Sequence, residues 1–121
     1  MRQLNFPTYS FRFKNSENKI QIFDVIRKKF VVLQPEEWVR QHIVHQLIKD
    51  KNYPQSLVNV EKQLKLNGLK KRYDIVVFNP DASIEILVEC KSPETKVNQA
   101  VFDQIAKYNM KLMANYLMVS N

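Results

Sequence analysis

Apolar positions change period along the chain, and the changes divide it into elements. Phe11 and Phe13, then Ile20 and Ile22, alternate on either side of the polar stretch Asn15-Ser16-Glu17-Asn18. That pattern predicts a small hairpin. After the basic connection Arg27-Lys28-Lys29, Pro35 at a first helical position, followed by Glu36 and Glu37, predicts a helix to about Asp50. Its buried stripe is Val39, Ile43, Val44 and Leu47. Three strands follow, near Val58–Leu66, Arg72–Phe78 and Ile84–Lys91. Asn67-Gly68 joins the first two as a tight turn, and Pro80-Asp81-Ala82-Ser83 joins the second pair. A second helix, about Val97–Ala114, leads into a last strand, Tyr116–Ser120, whose apolar run suits a sheet interior.

A meander, a helix and a returning strand predict an α/β fold, with a mixed β-sheet flanked by helices. At 121 residues the chain is one domain, divided into an N-terminal hairpin extension over residues 1–30 and a core over residues 35–121. Its end at Asn121, directly after a strand, predicts a piece of a longer protein.

Composition narrows the function by exclusion. Apolar residues at 45% and charged residues at 26% give the balance of a folded globular protein. No apolar run reaches membrane-spanning length and the first residues lack a signal-peptide core, so a soluble, cytoplasmic protein with no membrane partner is expected. A lone cysteine, Cys90, excludes an internal disulfide and a thiolate cluster, so any metal must sit on oxygen. A single glycine, Gly68, leaves no Gly-rich phosphate loop and hence no ATP site. The net charge of +7 favours a polyanionic partner.

Strand register points to chemistry. A two-residue turn at Asn67-Gly68 sets Glu61 opposite Asp74, and a four-residue loop at Pro80–Ser83 sets Asp74 opposite Glu89. Three acids then form a row on one face, with Lys91 two residues beyond Glu89 on the same face. Like charges directly opposite one another destabilise a sheet, so the row needs a compensating cation. Carboxylates are the oxygen ligands Mg²⁺ prefers, and Lys91 beside them can orient a water or stabilise charge on a phosphate. The competing reading is a set of solvated acids paired with Arg72 and Lys91, but the apolar runs Ile75-Val76-Val77 and Ile84 to Val88 speak for strands covered on both faces.

The strand Arg72-Tyr73-Asp74-Ile75-Val76-Val77 followed by Leu87-Val88-Glu89-Cys90-Lys91 resembles the PD-(D/E)XK nuclease signature, an acid followed by E-x-K. Gln104-Ile105-Ala106-Lys107-Tyr108 resembles the downstream Q-x-x-x-Y motif of restriction-type nucleases. With Pro35-Glu36-Glu37-Trp38-Val39-Arg40-Gln41 and Val60-Glu61-Lys62, residues 35–121 resemble the N-terminal nuclease domain of type I restriction enzyme R subunits. The resemblance implies a restriction-endonuclease-like core with catalytic Asp74, Glu89 and Lys91. It implies Mg²⁺, with Mn²⁺ as a substitute, held by Asp74, Glu89 and the Cys90 carbonyl, and a further acid on the first helix. Glu37 is the choice there, with Glu36 close behind, since helical spacing does not separate them. Tyr73 stands in place of the signature proline. DNA is the implied substrate, and specificity and methylation subunits are the implied partners.

Gln104, Lys107, Tyr108 and Lys111 share one side of the second helix, opposite Ile105, Phe102 and Met113, and are the candidate DNA-binding residues together with Arg72. A solvated helix face is the alternative. His42 and His45 suggest surface or structural roles, Cys90 a small core residue and Trp38 a packing anchor. Two readings from other classes stand beside a DNA endonuclease: a DNA-binding module that kept the fold without activity, and a nuclease for RNA or repair intermediates.

Overall fold

The computed structural model describes residue 4, residues 6–66 and residues 68–121, and the side chains at 66, 69, 108, 109 and 111 lie outside what it describes. The chain opens with β1 (Phe13–Ser16), β2 (Lys19–Asp24) and β3 (Lys29–Val32). They form a three-stranded antiparallel sheet, where the sequence predicted a two-stranded hairpin. Glu17 and Asn18 sit at φ +52 and +61, the left-handed pair that a two-residue turn between right-twisted strands requires. The third strand was missed because Lys28-Lys29 reads as a basic connection. Lys29 in fact pairs with Asp24, and Phe30 with Phe23.

Helix α1 (Pro35–His45) starts on Pro35 with Glu36 and Glu37 in its first turn, where acids complement the helix dipole. A single π-helical turn, Gln46–Asp50, carries it to the expected end. A short 3-10 turn, Gln55–Leu57, then delivers the chain to the main sheet.

That sheet has the order β4-β5-β6-β7, with β4 (Val58–Leu66), β5 (Leu69–Phe78), β6 (Ile84–Cys90) and β7 (Tyr116–Ser120). The first three strands run antiparallel and β7 returns parallel to β6, so the sheet is mixed as expected. The first inferred register holds, with Val60 paired to Ile75, and the second holds at Ile75↔Val88 but shifts between Val77 and Phe78, where Phe78 pairs with Ile84, so the loop spans residues 79–83 and not the four residues expected. Gly68 takes φ +82 in the first turn, while Asn67 lies outside the described residues. A parallel return needs a crossover, and α2 (Gln99–Leu112) supplies it, with the Asn98 side chain accepting the Val101 amide at 3.0 Å at its start.

The sheet is covered on both faces. Against α1, Val39, Ile43, Val44 and Leu47 pack on Val58, Ile75, Val77, Ile86, Val88 and Cys90. On the other side Tyr73, Val76 and Leu87 pack with Leu112, Ala114 and Leu117. At roughly 1.5–3 kcal/mol per fully buried aliphatic side chain, the α1 side holds most of the described core. On α2, Ile105 is buried as expected, but Phe102 is 39% exposed, and Met113, one residue past the helix at φ +57, is 81% exposed. Those two do not form the inner face that helical spacing suggested.

Candidate functional site

The ladder between β4 and β5 skips one rung. Val60↔Ile75 and Lys62↔Tyr73 are paired, whereas Glu61 and Asp74 between them are not, and Glu61 lies at φ +51. A residue in the left-handed region kinks its strand, as bulges beside functional sites do. Strict alternation fails in β5 as well, since Tyr73 joins Val76 in the α2-side cluster while Ile75 joins the α1 side. The register is therefore as inferred, but the rule that paired residues share a face does not carry through Asp74.

Asp74 and Glu89 are linked through backbone hydrogen bonds. The Asp74 carboxylate accepts the Cys90 amide at 2.7 Å, and the Glu89 carboxylate accepts a hydrogen bond from the Asp74 backbone. Each acid caps the strand that carries the other. Their remaining partners diverge. Asp74 Oδ1 is 3.2 Å from Arg40 Nη2 on α1, whereas Glu89 Oε1 is 3.7 Å from Lys71 Nζ, and that ammonium lies 4.4 Å from the Tyr73 ring centroid.

Arg40 is the residue the sequence reading passed over. Its guanidinium contacts Glu37 at 3.5 Å, Glu61 at 3.2 Å and Asp74 at 3.2 Å, so a buried organic cation gathers three of the predicted acids. Spacing offered one signal, because Glu37 and Arg40 stand three apart on a helix. A second guanidinium, Arg27 in the β2–β3 turn, bonds Glu37 at 2.8 Å and approaches Glu61 at 3.6 Å. Of the two helix acids, Glu37 is buried and turned into this cluster while Glu36 is exposed.

Protonation follows from these neighbours. Burial pushes the Glu89 carboxyl above the usual range and the charge of Asp74 adds to it, against the pull of Lys71 and Lys91. Burial would raise Glu61 also, but Arg40 and then Arg27 and Arg72 outweigh it and hold that carboxyl low. Cys90 is 4% exposed, and burial followed by the charge of Asp74 drives its thiol well above the ordinary value. It is a core residue, as expected.

The donor set of two carboxylates and a backbone carbonyl suits a hard divalent ion. Glu89 Oε1 is buried with no hydrogen-bond partner among the described residues and only the Lys71 ammonium at 3.7 Å, an incompletely satisfied state that a closer cation would relieve. Among the described residues, however, no group of three or more His, Cys, Asp or Glu stands ready to hold a metal ion, and the single positive charge of Arg40 is shared among Glu37, Glu61 and Asp74. In donor chemistry Asp74, Glu89 and the Cys90 carbonyl suit Mg²⁺, while the two Asp74 oxygens are already engaged by the Cys90 amide and by Arg40.

Lys91 is partly buried and its charge is felt at Glu89, while its amide donates to the Ser120 carbonyl at 2.7 Å. Arg72 is exposed and acts electrostatically on Glu61. Gln104 and Lys107 are exposed on α2, and no hydrogen bond or ion pair joins them to Asp74, Glu89 or Lys91 among the described residues. Tyr108 and Lys111 belong to α2, but their side chains lie outside the described residues. His42 and His45 are structural: both are buried, in an aromatic cluster with Phe6, Tyr9, Phe11 and Trp38. Burial lowers both imidazoles and so favours their neutral form.

No curated protein and no solved structure matches this chain. No helix among the described residues is long and apolar enough to cross a membrane. The family model that does match, type I restriction enzyme R protein N terminus, spans residues 35–121, from the first residue of α1 through the candidate site and β7, and the chain belongs to that family.

Proposed function

We propose that the chain is a Mg²⁺-dependent endonuclease domain that hydrolyses DNA phosphodiester bonds within a type I restriction system. The observation that carries this reading is the reciprocal bracket of Asp74 and Glu89, which leaves one buried Glu89 oxygen without a hydrogen bond, 3.7 Å from Lys71 Nζ and within the electrostatic reach of Lys91. Asp74, Glu89 and the Cys90 carbonyl would hold the ion, which supplies a polarised phosphate and a more acidic water when bound. Lys91 orients that water or stabilises the charge developing on the scissile phosphate. Glu37 and Glu61 stand behind Asp74 and tune the field through Arg40. Arg72, Gln104, Lys107, Tyr108 and Lys111 are the proposed DNA contacts, with specificity and methylation subunits as partners and the cytoplasm as the place of action.

The arginine among the acids favours a second reading, a DNA-binding module that kept the architecture and replaced the metal with an internal cation. Plasmid nicking in Mg²⁺ or Mn²⁺ separates the two. Lys91→Ala and Asp74→Ala should each reduce nicking by about 100-fold or more, in line with loss of a group acting at the reacting centre, with circular dichroism unchanged. Undiminished cleavage by either variant rejects the mechanism. A wild-type chain that neither binds Mn²⁺ by calorimetry nor cuts DNA or RNA supports the module.

A further inference from the structure

We propose that the small N-terminal sheet is part of the acidic centre, and that Arg27, in its β2–β3 turn, is a positioning residue for Glu37 and Glu61. The family match begins at residue 35, so this assigns a role to a segment outside it. The inference rests on the metal-dependent reading above as far as its consequence for catalysis is concerned.

The construction begins at Asp24, whose side chain is fully buried. It accepts the Ile26 amide at 2.8 Å, the Arg27 amide at 2.9 Å, Arg27 Nε at 2.8 Å and Gln41 Nε2 at 3.0 Å. Four donors on one carboxylate fix the turn and the guanidinium together. Burial alone would raise this carboxyl, but the Arg27 and Gln41 donors outweigh it and keep it anionic. With Nε held, the two outer nitrogens of Arg27 are aimed: Nη2 donates to Glu37 Oε1 at 2.8 Å, and Nη1 lies 3.6 Å from Glu61 Oε2. Gln41 Nε2 closes the loop on Glu37 Oε2 at 3.0 Å. Both oxygens of the helix acid are thereby fixed by a relay that starts in the N-terminal sheet.

An attachment role alone does not account for this arrangement. Ile22 is fully buried, and Phe11 packs against Trp38 with ring centroids 5.3 Å apart, so apolar contacts already dock the segment on α1. Buried charge is an expensive adhesive compared with such contacts. It is explained better by what it faces, which is the same Glu37 and Glu61 that Arg40 joins to Asp74. The planar fork also matters, since a lysine in the turn would present one point charge and not two fixed donors.

The test uses the full chain with Arg27→Gln and Arg27→Lys, and with Lys19→Ala on the same sheet as the control. Mn²⁺ affinity is read by calorimetry, and the Mg²⁺ concentration for half-maximal nicking is read separately from the KM for DNA. Arg27→Gln should weaken metal affinity by about 10- to 100-fold, as losses behind a ligand shell do, with little change in the KM for DNA. Arg27→Lys should recover part of it, and Lys19→Ala should match the wild type. A double-mutant cycle of Arg27→Gln with Glu37→Gln should give a combined loss smaller than the product of the single losses. Should Arg27→Gln fail to fold, Arg27→Lys carries the comparison. Wild-type metal affinity in a folded Arg27→Gln, or independent losses in the cycle, would overturn the proposal. Failure of the nuclease reading is recognised separately, because there the wild-type chain itself neither binds Mn²⁺ nor cuts, and the Arg27–Glu37 cycle is then read in urea stability, where independent losses overturn the role of Arg27.

Discussion

Arg40 Nη2 lies 3.2 Å from Asp74 Oδ1, so the acid at the predicted chemical centre is already paired with a nearly buried guanidinium. Two of the three strand acids, Glu61 and Asp74, therefore already share a cation that belongs to the chain, while Glu89 faces Lys71. Arg40 Nε, buried with no hydrogen-bond partner among the described residues, shows that the fit is incomplete. A side chain held by charge but not fully satisfied is one that a competing cation can displace.

Substituting Arg40→Gln should expose this competition. Removing one partner from a buried ionic group costs about 3–5 kcal/mol, because uncompensated charge remains behind. In urea without divalent ions the variant should lose stability on that scale, and millimolar Mg²⁺ should restore more to the variant than to the wild type. Equal response of the two proteins to Mg²⁺ would mean that guanidinium and metal do not share the acids.

Acid should weaken the fold through Asp24. Its folded-state carboxyl lies below the ordinary value, so its contribution is complete above an unfolded Asp pKa of about 3.9 and is lost as pH falls through the folded value. Glu89 has the opposite sign: its raised carboxyl disfavours the ionised folded state, and protonation on acidification relieves that cost. Denaturation midpoints measured below about pH 4 should fall less steeply for Asp24→Asn than for the wild type. Parallel curves would remove Asp24 from the account.

The Cys90 thiol should be inert in the native protein. It is 4% exposed, and burial together with the charge of Asp74 opposes thiolate formation. Dithionitrobenzoate should label it only at the rate of unfolding, with full reaction in denaturant. Rapid labelling of the folded chain would show that β6 opens beside the site.

Local patterns determined the helices and the main strands of this protein, since period and turn chemistry are written in neighbouring residues. Pro35 opened α1, and the tight turn ending on Gly68 set the register that pairs Val60 with Ile75 and Lys62 with Tyr73. E-x-K and its preceding acid likewise stand in plain sequence. Tertiary structure decided where the charges go. The left-handed backbone at Glu61 and the change of face between Tyr73 and Ile75 broke the alternation on which the acid row was built, and Arg40 and Arg27 reached it from a helix and a turn distant in the chain. Long side chains choose partners by proximity in space, and a one-dimensional pattern contains that proximity only where pairing is regular.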